Sequence, residues 1–437
     1  MHFWHPSFGN CRKLRQEVFM NRLGTRVNAK NMNMPTAKNH SKSDHKNIQG
    51  IAWMSFFWSM STLMVFSLLP AFLVDELKTG HHDIGLIEGI AISSSFLAKF
   101  FSGFLSDVMR KRKPLILLGA ALTAMVKPIF ALSTTTGMVF GLRFIDRLSK
   151  GIRSAPTDAL IADLSERGFY ATNFGFREAL YTLGQVVGAL AAMLLMLSSN
   201  NNYRLVFALS AIPASLALLI LFLWIKPNPN SHPRADTRYH RKKVELTDIK
   251  EFSPIFWWLM LAFFFLMLGR FSEAFLTLKA KEVGWSVAYL PMMIIVMDLV
   301  HAGVAIPCGK YADKISRSMM LSAGLVLMFT AQAFLSYVSS IAGTIIGVIL
   351  VGLHMGATQG LLKAMIAQAT PAKLRGTAYS LFFVISGVAL FLANTIAGNL
   401  SHRFGLSATF LMGSFFSIFA AGVIYIASLR RPAIKSM

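Results

Sequence analysis

From Ile51 onward, apolar runs of about 20 residues recur along the chain, separated by short polar breaks. Twelve can be placed, at 50–73, 84–106, 114–133, 137–161, 174–197, 204–225, 254–278, 287–308, 318–338, 341–366, 376–399 and 405–429. A helix rises 1.5 Å per residue, so about 20 residues cross the roughly 30 Å hydrocarbon core of a bilayer. Inside lipid no water is available to the backbone, so each run must close its own hydrogen bonds as a helix. The pattern predicts an all-α polytopic membrane protein. The longest internal polar break, 226–253, divides the runs six and six. The expected organisation is a bundle over 50–225, a linker over 226–253 and a second bundle over 254–429. A polar, basic tail over 1–49, expected to be disordered, precedes them, and a short tail over 430–437 follows. The first tail has no apolar core of the kind a signal peptide needs.

Composition supports this and narrows the function. Of 437 residues, 54% are hydrophobic and only 14% charged, against about 25% charged in a soluble domain. So few charges cannot cover a water-facing surface of this size. The net charge of +23 would suggest a nucleic-acid partner if read alone. Its distribution argues otherwise. With the N-terminus inside, the inner segments hold 29 Lys and Arg and the outer loops 5. Inner loops collect Lys and Arg, which predicts an inner (cytoplasmic) membrane protein with both termini in the cytoplasm. Cys11 and Cys308 are the only cysteines, and the GxSxG, HExxH and P-loop strings are missing. No enzyme activity, cofactor or metal is expected. The expected partners are a small-molecule solute and the lipid bilayer, not nucleic acid, with the chain acting as a monomer.

The halves repeat each other. Gly103 and Asp107 of GFLSDVMRKRKP match Gly309 and Asp313 of GKYADKISRS, 206 residues on. Ala159–Ala162 match Ala364–Ala367 at an offset of 205, and Arg167-Gly168 match Arg375-Gly376 at 208. Such duplication belongs to transporters that rock one bundle against another. The loop after span two resembles the G-x-x-x-D-[RK]-x-G-[RK]-[RK] signature of the major facilitator superfamily at Gly103, Asp107, Lys111 and Arg112, with Val108 and Arg110 departing from it. The second copy keeps Gly309, Asp313, Lys314 and Arg317. Arg147–Ala155 is similar to that superfamily's R-x-x-Q-G-x-G-A-A, with Lys150 and Arg153 adding charge. The longer run DRLSKGIRSAPTDALIAD resembles one bacterial permease branch reading DR-x-GKGIR-x-APRDALIAD. Ser149 and Thr157 differ there, and no substrate is carried over. The resemblance implies two pseudo-twofold related six-helix bundles, and alternating access with the loop motifs taking part in gating.

Charges within the spans supply the candidate chemistry, because an intramembrane charge costs a few kcal/mol and must face the protein interior or an end. Arg143, Asp146, Arg147 and Lys150 of span four share about 100° of helix circumference, with Arg153 at its edge. Span ten has Gly352, Met355 and Thr358 where span four has Arg147, Lys150 and Arg153. Arg143, Arg147 and Lys150 are therefore candidate ligands for an anionic solute: an organic acid, a phosphate ester or an anionic metal chelate such as a siderophore complex. The competing reading is that the stripe forms salt bridges with Glu88, Asp107 or Glu178. Candidate proton-coupling groups are Glu88, Asp146 and the Asp298/His301 pair. Candidate gating residues are Gly103, Asp107, Arg110, Arg153, Gly309, Asp313 and Arg317. Arg270 and Glu273 read as a structural pair, His354 as a packing histidine and Lys127-Pro128 as a kink. The function expected is proton-coupled secondary transport. Export of metabolites or drugs, and a receptor on a permease scaffold, are the alternatives.

Overall fold

The computed structural model describes residues 42–109, 112–165, 170–225, 252–312, 317–370 and 375–430. Among them the chain is helical, with no strand. Of the tails expected over 1–49 and 430–437 and the linker expected over 226–253, residues 1–41, 431–437 and 226–251 lie outside the described residues. Twelve spans follow one another among the described residues. In the first half they are Lys42–Phe66 continued by Leu69–Asp75, His81–Met109, Lys113–Phe130, Thr136–Leu164, Tyr170–Ser198, and Tyr203–Leu209 continued by Ala211–Leu223. In the second half they are Pro254–Gly269 continued by Ala274–Glu282, Pro291–Ala312, Arg317–Tyr337, Ile341–Ala369, Arg375–Phe404 and Leu406–Arg430. The first span begins at Lys42, inside the stretch expected as tail. Its opening turn carries Asp44, whose charge suits the positive end of the helix. An apolar run marks only where a helix is in lipid, so it misses such polar first turns.

Duplication is visible in the caps and breaks. Thr135 caps span four by accepting from the Met138 amide, and Ser340 caps span ten by accepting from the Gly343 amide. The two spans are 29 residues each. Span one breaks between Phe66 and Leu69, and span seven between Gly269 and Ala274. Pro70 explains the first break, because it lacks an N–H and its ring clashes with the preceding turn; it sits instead in the first turn of the resumed helix. The layout is that of two pseudo-twofold related six-helix bundles.

Eleven of these spans are apolar enough to cross a membrane on length and composition alone. Span four is the exception, since Arg143, Asp146, Arg147, Lys150, Arg153 and Asp158 lie along it. It survives because its neighbours bury Arg143, Asp146 and Arg153. Large apolar side chains on the outside, such as Phe101, Phe104, Leu132, Phe222 and Phe415, form the lipid-facing surface. In water so much exposed apolar area would drive association.

The apolar cores show how the halves meet. At the end away from the chain termini one cluster joins both halves, with Phe72, Val126 and Phe207 packed together with Phe275, Met293 and Leu335. At the terminal end there are separate clusters. One, around Ile51, Trp58, Ile116 and Leu221, belongs to the first half. The other, around Phe256, Leu321, Met365 and Ala378, belongs to the second. Span two runs along span eleven, and span five meets span eight. The halves are thus sealed at the distal end and part toward the terminal end.

Two glycine contacts separate packing within a half from packing between halves. A Cβ on Gly188 would overlap the Met60 carbonyl of span one. A Cβ on Gly85 would overlap the Asn394 carbonyl of span eleven, across the seam. Gly188→Val is expected to destabilise the fold by about 1–3 kcal/mol, as overpacking does, seen as a lower melting temperature in detergent. Gly85→Val is expected instead to part the halves at the distal end. In a background with Cys11 and Cys308 replaced, it should expose a Leu278→Cys thiol to labelling with a smaller loss of melting temperature.

Candidate substrate cavity

Span four brings five charged groups to the middle of the protein, and the structure divides them into two sets. The first is locked. Arg143 grips Glu88 of span two with two bonds, Nε to Oε1 at 2.9 Å and Nη2 to Oε2 at 3.0 Å. Asp146 takes Lys127 of span three at 3.0 Å and lies 3.9 Å from Arg143. The resulting string, Glu88–Arg143–Asp146–Lys127, alternates in sign and sums to zero. Its side chains are at most 5% exposed. Paired charges of this kind are tolerable away from water, whereas breaking one pair strands the other charge. Arg143 also stacks on Phe66, 4.2 Å from the ring centroid. Ser272, in the break of span seven, donates to Glu88 at 3.1 Å and so ties the string to the second half.

Arg153 is locked differently. It donates to Thr123 at 2.6 Å and lies 4.3 Å from the Trp58 ring centroid.

The second set faces a cavity of about 620 Å³ between the halves, within the usual range for small-molecule sites. Arg147 and Lys150 line it from the first half, and Arg270, in the broken part of span seven, lines it from the second. Lys150 donates to the Tyr181 hydroxyl at 3.2 Å. Arg147 makes no ion pair among the described residues, and its buried Nε has no hydrogen-bond partner there. With Lys99, which lies 5.9 Å from the Phe96 and Phe383 ring centroids, the lining holds four cations against Asp158 and Glu273. Asp158 already holds Arg177 at 3.0 Å. Aromatic and thioether side chains make much of the remaining wall, among them Phe66, Phe271, Phe382, Phe410 and Met328.

The distal end above the cavity is closed by contacts between halves. Lys281 bonds Asp75, the Ser272 hydroxyl donates to Glu88 at 3.1 Å, and His81 and Ser401 share a bond of 2.6 Å. At the other end the lining reaches Asp158, whose side chain is 49% exposed. Access is therefore from the side that carries the termini.

The sequence model of the Major Facilitator Superfamily matches residues 51–393 and again 274–436. The chain belongs to the major facilitator superfamily. It is similar to an uncharacterized MFS-type transporter of Methanocaldococcus jannaschii, 27% identical over 383 residues, which are 85% of this chain and 92% of that one. A gentisate transporter of Corynebacterium glutamicum is 23% identical over 371 residues, 83% of each chain. Among solved structures, a bacterial homolog of the human lysosomal transporter Spinster, inward-facing and unoccupied, superposes with a TM-score of 0.73 at 15% identity, over 90% of this chain and 99% of that one. The chain is a membrane transporter of this superfamily, not an enzyme.

The geometry of this facilitator revises several of the side-chain pairings expected from sequence. Arg143, the deepest cation, is held by Glu88 and is not presented to the cavity. Asp146, a proton-coupling candidate, is paired with Lys127, because span three packs beside it, and lies within 3.9 Å of Arg143. Lys127, read as part of a kink, is thus an ion-pair partner. Glu88 takes the salt bridge to span four that the competing reading offered. Asp298 and His301 share no hydrogen bond: Asp298 is buried with Oδ2 unpartnered among the described residues, while His301 is only half-buried. Arg270 and Glu273 form no ion pair among the described residues. Their i, i+3 spacing assumed a helix, and span seven is interrupted there. Gly103 faces Ala155 with room for a Cβ, at 3.6 Å. Arg110 and Asp313 lie outside the described residues, as do the side-chain surroundings of Asp107, Gly309 and Arg317. In the same loop region Arg112 pairs with Asp163 at 3.2 Å and donates to Ser106 at 2.8 Å. Tyr181, Gln185, Gln332 and His354 join the cavity unforeseen. Of these only His354 stood out in the sequence, as a lone intramembrane imidazole.

Removing one member of the locked string should be worse than removing a pair. Arg143→Gln is expected to cost about 3–5 kcal/mol by leaving Glu88 buried and unpaired. The double variant Glu88→Gln/Arg143→Gln should recover part of that loss. Denaturant unfolding of the detergent-solubilised protein measures both.

Proposed function

We propose that this facilitator carries a small anionic solute, and that Arg147 and Lys150 bind it. The observation behind this is the charge imbalance of the cavity, together with an Arg147 guanidinium that makes no direct ion pair among the described residues, Glu88 and Asp146 acting on it only from beyond contact distance. A buried cation without a partner is costly. A carboxylate or phosphate oxygen from the solute would supply the partner, and a guanidinium fork suits such groups. Arg143 serves this site indirectly, by holding span four in register through Glu88. The gentisate transporter among the relatives, named for a carboxylate, is in keeping with an anionic solute.

Coupling to protons is part of the same reading. Glu88 and Asp146 are committed to cations, so neither is free to exchange a proton without breaking the string. Asp298 of span eight is buried with one oxygen unpartnered and has no cationic partner among the described residues. It is the carboxylate best placed to take up and release a proton as the halves move. The excess of Lys and Arg in the loops on the terminal side supports an inner-membrane protein with both termini in the cytoplasm. The cavity would then open inward in this conformation and take up solute when the distal seal opens.

Transport by purified protein in proteoliposomes tests these roles separately. Arg147→Gln or Lys150→Gln is expected to raise the half-saturating concentration of an anionic solute at least tenfold, leaving the melting temperature near that of the wild type. Unchanged transport of every anion in a panel of organic acids and phosphate esters would remove the anion reading. Asp298→Asn is expected to abolish accumulation driven by a pH gradient while sparing solute exchange. Accumulation that persists with a protonophore would rule out proton coupling.

A further inference from the structure

The anion reading accounts for the first-half wall of the cavity and leaves the opposite wall unexplained. Three buried polar atoms on that wall have no hydrogen-bond partner among the described residues: Gln332 Oε1 of span nine, His354 Nε2 of span ten and Ser386 Oγ of span eleven. All three side chains line the cavity and are at most 3% exposed. Buried polar groups in native proteins are nearly always satisfied. Three orphans on one wall of one cavity point to a ligand group.

The chemistry of that group follows from what the other ends of two of these side chains do. Gln332 Nε2 donates to the Gly269 carbonyl at 2.7 Å. This fixes the amide, since a carbonyl cannot donate, and leaves Oε1 as an acceptor. A Cβ on Gly413 would overlap that Oε1, so the glycine is what admits the amide in this pose. His354 Nδ1 lies 2.7 Å from the Gly324 carbonyl. Nδ1 must then carry a proton, and in the neutral ring Nε2 presents a lone pair. Both free atoms are acceptors, and an anion offers them nothing. They need a donor.

Resting on the proposed anionic solute, we infer that the solute also bears a hydroxyl or N–H donor, separated from its anionic group by a flat apolar body. Arg147 and Lys150 take the anion on the first half. Gln332 and His354 take the donor on the second, and Ser386 can serve either role. The aromatic and thioether wall between them packs the body. A solute bound at both ends bridges the two halves, whereas a simple anion holds only the first. Specificity of this kind is strong, because a site built to bond a hydroxyl is left with unsatisfied groups by the analogue that lacks it.

Equilibrium binding to the full-length protein in detergent tests this with benzoate, 3- and 4-hydroxybenzoate, 4-methoxybenzoate and uncharged 4-hydroxybenzyl alcohol. At least one hydroxybenzoate is expected to bind ten times more tightly than benzoate, and 4-methoxybenzoate no better than benzoate. Gln332→Met and His354→Phe should each cut the hydroxyl preference below threefold, with the melting temperature reporting that each variant is folded. Where the melting curve shows a variant unfolded, the wild-type comparison decides alone. Equal binding of benzoate and both hydroxybenzoates overturns the inference and spares the anion reading; water would then satisfy the two acceptors. Alcohol bound as tightly as the hydroxybenzoates, and more tightly than benzoate, keeps the donor inference and sinks the anion reading. Binding of none of the five overturns both.

Discussion

A charge inside a bilayer must be neutralised by the protein, and the Glu88–Arg143 pair is where this chain does so most completely. Two parallel bonds of 2.9 and 3.0 Å join spans two and four, and Ser272 extends the contact into the second half. Span four would be a poor membrane helix by itself. Paired through Arg143 and Asp146, it becomes the inner post of the first bundle, with spans two and three packed against it. The position of Arg147 and Lys150 depends on this. They occupy the turns that follow Arg143, so the locked part of the helix aims the unlocked part into the cavity.

The same string gives the two ends of the protein different characters. At its level and beyond it the apolar core is shared, and the halves are held together by Lys281–Asp75, His81–Ser401, Ser272–Glu88 and the close approach of Gly85 to span eleven. Toward the termini the cores are separate, and the cavity lies between them. A seal built from one ion pair, a few hydrogen bonds, glycine-lined contacts and a shared apolar cluster can open without unfolding either bundle, because each bundle keeps a further core of its own at the terminal end. This is the physical requirement for a site that faces one side and then the other. Within the first bundle the terminal end is tied by Arg112–Asp163 and by Lys113 donating to Ile225 at 2.6 Å, so that half can move as a unit.

The cavity is asymmetric although the fold is duplicated. Span ten aligns with span four in length and cap, yet it carries Gly352, Met355 and Thr358 where span four carries its cations. The second half contributes instead the broken segment with Arg270, and the amide, imidazole and hydroxyl of Gln332, His354 and Ser386. The first bundle thus offers most of the charge, and the second offers Arg270 and the hydrogen-bonding groups. A duplicated scaffold yields a two-sided site once its copies diverge: Met355 lines the cavity, whereas Gly352 and Thr358 pack against spans eight and nine.

The sequence by itself determined the membrane fold, the duplication and the family likeness. These follow from one-dimensional facts: runs of about 20 apolar residues, an offset near 205, and a handful of motif positions. It also marked span four as the helix with the densest set of charges. It could not say which of that helix's charges are spent. Sequence spacing shows the partners a residue can reach on its own helix, such as Lys150 for Asp146 or Glu273 for Arg270. The actual partner of Asp146 comes from another span, and the spacing fails altogether where a helix is broken, as at Gly269. Tertiary packing decided that, among the described residues, Arg143 is ion-paired and Arg147 is not, and that Asp298 shares no hydrogen bond with His301. Neutralisation in a bilayer depends on which side chains meet across helices, and no periodicity within one helix records that.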